Sequence, residues 1–175
     1  MKIRVAISAL LSLMLSAVSI TESIAEGSYI RPITKPYPAH DLRLLDLDDK
    51  MVSLQDFRGK TVIINFWATW CPPCRKELPS MQRTYAKYKS ENFVILGVNV
   101  GEGWDVIAPF LSPFNLEFPI LLDSDSAQLT KWRAIGLPTS FIVSRQGIVT
   151  HRITGGRDWD DPDFRKELEK ILATK

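Results

Sequence analysis

The chain has 175 residues, of which 45% are hydrophobic and 24% charged, and its formal net charge at pH 7 is +2. That is enough for one ordinary domain with a leader, and a balance so near neutrality argues against nucleic acid or an anionic membrane as the main partner. The chain has only two cysteines and two histidines; His40 and His151 are far apart and unmatched in spacing, so a four-ligand zinc site is not supported and no metal or cofactor is expected.

At the start, Lys2 and Arg4 precede an uncharged run from Val5 to Ile20, followed by Ser23 and Ala25 at positions suited to cleavage. Residues 1–25 therefore read as a secretory signal peptide cut after Ala25. The alternative is an uncleaved anchor, against which the run is shorter than the roughly 18–20 residues of a spanning helix. Without the signal the chain carries 20 basic and 19 acidic residues. An exported chain ordinarily uses cysteines for structural disulfides, yet both of these lie in one short motif and are expected to be kept for chemistry.

Residues 26–40, with Pro32, Pro36 and Pro38, read as an irregular arm leading to a domain over 41–175. Leu42 to Leu47 and Met51 to Leu54 form a short hairpin through Asp48-Asp49-Lys50. The apolar, β-branched run Val62, Ile63, Ile64 and Phe66 predicts a strand buried on both faces. It passes through an aromatic turn into a helix that begins at Cys71-Pro72-Pro73-Cys74 and carries Leu78, Met81, Tyr85 and Tyr88 on one face, with a kink expected at Pro79. Phe93 to Val100 is a second buried strand, parallel to the first through a right-handed crossover. A helix over Trp104 to Phe114, a strand over Pro119 to Asp123 and a helix over Ser126 to Ala134 follow. Ser140 to Ser144 and Ile148 to Ile153 form a hairpin about Arg145-Gln146-Gly147. The closing helix has Asp161 as N-cap, Pro162 at its first position and the stripe Phe164, Leu168, Ile171 and Leu172.

A thiol at a helix N-terminus faces unsatisfied backbone N–H groups and the positive end of the macrodipole, which stabilise its thiolate. Cys71 is accordingly the expected nucleophile, and Cys74, one turn further in, the resolving thiol. Pro72 and Pro73 stiffen the first turn. The acid runs Asp123-Ser124-Asp125 and Asp158 to Asp163 lack the glycine and terminal glutamate of a calcium loop and read as loop and cap acids.

Trp70-Cys71-Pro72-Pro73-Cys74 within Asn65-Phe66-Trp67-Ala68-Thr69, together with Gly136-Leu137-Pro138-Thr139-Ser140-Phe141, resembles the thioredoxin-like active site of the TlpA/ResA family of exported thiol-disulfide oxidoreductases. The resemblance implies an α/β thioredoxin-like fold: a central mixed sheet flanked by helices, with an N-terminal hairpin and a strand-helix insertion. It makes Pro138 a cis-proline, with Trp70, Pro72, Leu137, Pro138 and Thr139 as the substrate-binding surface; Trp70 would cover the disulfide, and Trp67 is a packing residue. Minimal thioredoxin has a buried acid where this chain has Asn65, which cannot take a proton. Glu77, three residues after Cys74 on the same helix face, either serves the cysteines or is a surface glutamate favoured by the helix dipole. Ala68 departs from the Thr or Ser that the peroxiredoxin pattern places before its cysteine, so a peroxidase is not supported.

The expected function is that of an exported disulfide reductase at the periplasm or the outer face of the cytoplasmic membrane, acting as a monomer. The resemblance implies a protein disulfide substrate, such as apocytochrome c or a copper-site protein, and a membrane reductant donor of the DsbD or CcdA type. A thiol oxidase and a non-enzymatic copper-handling or binding module are the alternatives.

Overall fold

A computed structural model of the chain describes residues 29–174, so the expected signal peptide lies outside the described residues. Strands β1 (Arg31–Pro38), β2 (Arg43–Leu45) and β3 (Met51–Ser53) come first, and a 3-10 turn, Leu54–Phe57, leads from β3 into β4 (Thr61–Trp67). Then follow α1 (Pro72–Tyr88), β5 (Phe93–Val100), α2 (Trp104–Leu111), β6 (Ile120–Asp123), α3 (Ala127–Lys131), β7 (Thr139–Val143), β8 (Ile148–Thr154) and α4 (Pro162–Leu172). Six strands form one sheet in the order β1-β8-β7-β4-β5-β6, and β2 and β3 form the separate hairpin. β4, β5 and β6 run parallel, whereas β7, β8 and β1 join antiparallel, which makes the sheet mixed.

β4 and β5 lie at the middle of this sheet and are buried throughout, as their unbroken apolar runs require. Alternation along β4 divides the core in two. Ile63 and Trp67 join one cluster with Leu78, Met81, Ile107, Phe164 and Leu168, which come from α1, α2 and α4. Val62, Ile64 and Phe66 join the other cluster with Leu42, Leu54 and Trp132. Asn65 shares the parity of Ile63 and Trp67 and so points a buried amide at the α1 side.

The N-terminal arm departs from expectation. Arg31–Pro38 is a strand at the sheet edge, paired with β8 through Arg31↔Arg152, Pro32↔His151, Tyr37↔Val149 and Pro38↔Ile148, with an irregularity between Pro32 and Tyr37. Proline lacks a ladder donor but is tolerated on an edge, where half of the backbone groups face outward. The folded unit therefore begins before residue 41. The two inserted helices are shorter than expected: α2 ends at Leu111, before Pro113, and α3 covers only Ala127–Lys131. α1 runs through Pro79 to Tyr88 as one element.

Asp123 shows how the insertion is fixed. Its carboxylate is fully buried at the end of β6 and accepts from Gln128 N at 2.9 Å and Leu129 N at 2.8 Å, the unsatisfied donors of α3. Asp123→Ala should lower stability by about 1–2 kcal/mol in urea denaturation, as for loss of a helix cap.

Candidate active site

β4 ends at Trp67, and the turn that follows delivers Cys71 to the N-cap of α1 in an extended conformation. Cys71 Sγ accepts from Cys74 N at 3.3 Å, and the two sulfurs are joined as a disulfide. Cys71 is 3% exposed and Cys74 fully buried, so the expected nucleophile is far less open than a helix N-terminus implies. The reason is packing: both cysteines belong to the core cluster of Trp67, Ala68 and Leu78.

The second half of the site arrives through strand register. Phe66 pairs with Thr139 across the antiparallel β4 and β7, which brings Pro138 to the end of β4 from which Cys71 departs. The Leu137–Pro138 peptide bond is cis. Thr139 is buried and its hydroxyl donates to Gly136 O at 2.9 Å, which takes its side chain away from the expected substrate surface and gives it to the loop. Pro138 is buried, Leu137 half-buried and Pro72 exposed. Trp70 stands out from the surface at 66% exposure, next to Cys71, and Trp67 is wholly buried as a packing residue.

Glu77 is buried at 2% exposure, which excludes the surface-glutamate reading. Asn65 Nδ2 donates to Glu77 Oε1 at 2.9 Å and also to Ser140 Oγ at 2.9 Å. Arg157 N and Trp159 Nε1 both donate to Glu77 Oε2, at 3.1 and 3.3 Å. Burial raises the carboxyl from its ordinary 4.5 to about 7, against the opposing pull of these donors and of the Arg157 charge. Spacing of three places Glu77 on the Cys74 side of α1, one turn on.

Sequence reasoning missed Ser140, Arg157, Trp159 and Glu102. Glu102, in the loop after β5, accepts from Thr69 N and Asn99 Nδ2, each at 2.8 Å, and from the Thr69 hydroxyl, fixing the turn that precedes Trp70 and Cys71. Its signal was only a lone acid after a strand. Among the described residues no cluster of three or more His, Cys, Asp or Glu side chains could hold a metal ion. No described helix is long and apolar enough to cross a membrane.

A disulfide at a helix N-terminus, a cis-proline brought beside it by a mixed sheet and a protonatable group one turn below define a thioredoxin-like thiol-disulfide oxidoreductase. The AhpC/TSA family model matches residues 36–152. The chain is 38% identical over 134 residues to thiol-disulfide oxidoreductase ResA of Bacillus subtilis (strain 168), covering 77% of this chain and 70% of that protein. It is 40% identical over 133 residues to ResA of Geobacillus kaustophilus (strain HTA426), covering 76% and 75%. Among solved structures, a thiol:disulfide interchange protein from Chlorobium tepidum superposes with a TM-score of 0.74 at 30% identity, covering 81% of this chain and 99% of that one. The chain belongs to the AhpC/TSA family and, within it, to the ResA type of thiol-disulfide oxidoreductase.

The Glu77 environment has a consequence for stability. The folded chain keeps this proton to about pH 7, whereas the unfolded chain releases it near 4.5. Between those values the folded state binds the extra proton, so the stability linked to it is present below 4.5, declines as pH rises and is lost above 7. Glu77→Gln cannot ionise and should remove this slope. Over that interval the parent should lose about 3 kcal/mol relative to the variant in urea denaturation. Parallel stability curves would show that Glu77 ionises as it does in water.

Proposed function

We propose that the protein is an exported disulfide reductase in which Cys71 attacks, Cys74 resolves and Glu77 takes the proton of Cys74. The observation that carries this reading is the Cys71–Cys74 pair at the start of α1, beside cis-Pro138, with the buried carboxyl of Glu77 one helical turn beyond the second cysteine. A base works best when its pKa lies near the working pH, and this one needs no water-exposed side chain.

In the reductive direction the Cys71 thiolate attacks a disulfide sulfur of the substrate protein; the Cys71–substrate bond forms and the first substrate thiolate leaves. Cys74, deprotonated by Glu77, then attacks Cys71 Sγ and expels the second thiolate, which takes up a proton. Two electrons pass to the substrate, and the enzyme is left with the Cys71–Cys74 disulfide. Trp70 and Pro72, exposed beside Cys71, and the Leu137–Pro138 segment form the docking surface for an extended substrate chain. The enzyme must then be re-reduced; a membrane reductant donor of the DsbD or CcdA type fits that need, and apocytochrome c or a copper-site protein fits as substrate. We place it as a monomer in the periplasm or on the outer face of the cytoplasmic membrane, in keeping with the basic residues and uncharged run that open the sequence.

Two measurements check this. Cys74→Ala should accumulate substrate proteins as mixed disulfides through Cys71 in the native compartment, and recovery of none where a control reductase is trapped would favour a non-enzymatic binding module. The reduction potential, read against a dithiothreitol ladder, should fall well below the roughly −120 mV of a strong oxidant, and a value near that figure would make the protein an oxidase.

A further inference from the structure

The segment Gly156–Asp160, between β8 and α4, lies along α1. Gly156 is packed against the active-site motif: a Cβ there would come within 2.8 Å of Pro73 Cβ and 3.1 Å of Pro73 O. Trp159 is fully buried, with its ring 5.1 Å from that of Phe164. It meets three successive turns of α1: Nε1 donates to Glu77 Oε2, the main-chain N donates to Ser80 Oγ at 3.1 Å, and the carbonyl accepts from Thr84 Oγ1 at 3.1 Å.

The groups around the Glu77 carboxyl differ in what they tolerate. Oε2 faces an indole N–H and a main-chain N–H, neither of which can accept a proton, so both favour the ionised form. Oε1 faces the amide of Asn65, from β4, which carries an oxygen as well as NH2 and can serve either protonation state by turning over. Ser140, from β7, is one step further, on the other hydrogen of that amide. On α1 itself Cys74 lies one turn before Glu77, and the adjoining Arg75 and Lys76 are exposed. The charge that acts on the carboxyl is that of the Arg157 guanidinium, which is directed to Thr154 O and Gly156 O and lies over the Tyr29 ring.

We propose that Trp159 is a positioning residue for the resolving step: with the Arg157 main chain, its indole N–H holds the ionised Glu77 carboxylate, so that Gly156–Asp160 sets the pH range in which the dithiol works. This rests on the reading of Glu77 as the proton acceptor of Cys74. The stretch is fixed in place by the Gly156 contact with Pro73 and by Asp160, which pairs with Arg83 and Arg165.

Trp159→Phe keeps a buried ring beside Phe164 and removes the N–H together with part of the ring volume. The Glu77 carboxyl, followed by carbon NMR of the oxidised protein, should titrate higher by about 0.5–1 pH unit, as for loss of one long charge-assisted bond. Release of reduced substrate from the mixed disulfide should shift along the pH axis by the same amount and recover at high pH. A lower denaturation midpoint with both pH profiles unmoved would make Trp159 merely structural and overturn the proposal. Should that variant fail to fold, Thr84→Val removes the hydroxyl that holds the Trp159 carbonyl and so loosens the Trp159 main chain without touching Glu77, and a smaller upward shift is expected; no shift would overturn the assignment. Glu77→Gln separates the two levels. If it leaves the pH profile of release unchanged, the reading of Glu77 itself falls; if it abolishes the dependence while Trp159→Phe leaves it in place, only the Trp159 assignment falls.

Discussion

The site depends on one buried carboxyl. Glu77 lies at 2% exposure against the central strand, with three hydrogen-bond donors and no ion pair among the described residues. Burial of an isolated charge is expensive, and the usual outcome is that the group holds its proton over a wider range of pH. Here the donors offset part of that penalty, which leaves the carboxyl at about 7 instead of permanently neutral or permanently charged. Such a group is a poor contributor to stability near neutrality.

The fold brings the partners of that carboxyl from three places. β4 supplies Asn65, because strand parity turns it toward α1 with Ile63 and Trp67. β7 supplies Ser140, which lies directly across from Asn65 in the β4–β7 register, and the same register brings cis-Pro138 to the end of β4. The stretch before α4 supplies Arg157 and Trp159, which are 80 and 82 residues from Glu77. A mixed sheet serves this purpose well. The parallel β4-α1-β5 half places the dithiol at a helix N-terminus, and the antiparallel β7 starts, at Pro138, beside the end of β4 from which the dithiol departs.

Much of this was legible in the sequence. The β-branched runs of β4 and β5, the Asp161-Pro162 helix start and the Cys-Pro-Pro-Cys motif each carry a local physical signal, and each marks the expected element. The edge strand β1 was hidden because prolines read as breakers unless the strand is known to lie at an edge. Glu77 gave an incomplete signal. It stands three after Cys74 and four before Met81, both buried, but the apolar stripe alone does not show that Ser80 and Thr84 are also covered and the buried face correspondingly wide. Trp159 lies in an acidic loop, and no periodicity points from it to α1. What covers that face is decided by the return of the chain, a tertiary fact.

The choice of neutral donors around Glu77 carries the argument furthest. An arginine paired directly with the carboxylate would drive its pKa well below neutrality, and a group so stabilised would be a weak base toward a thiol. The Arg157 charge is felt by the carboxyl, yet its guanidinium is taken up by two carbonyls and the face of Tyr29, and its hydrogen bond to the acid comes from the main-chain N–H. An aspartate at the Asn65 position would put two acids within hydrogen-bonding distance, and one of them would stay protonated far above pH 7. Asn65 avoids that repulsion while offering a partner to either form of Glu77. Position on α1 has its own value for the proposed role, because a carboxyl on the same helix as Cys74 keeps its spacing to that thiol however a substrate settles against the first turn.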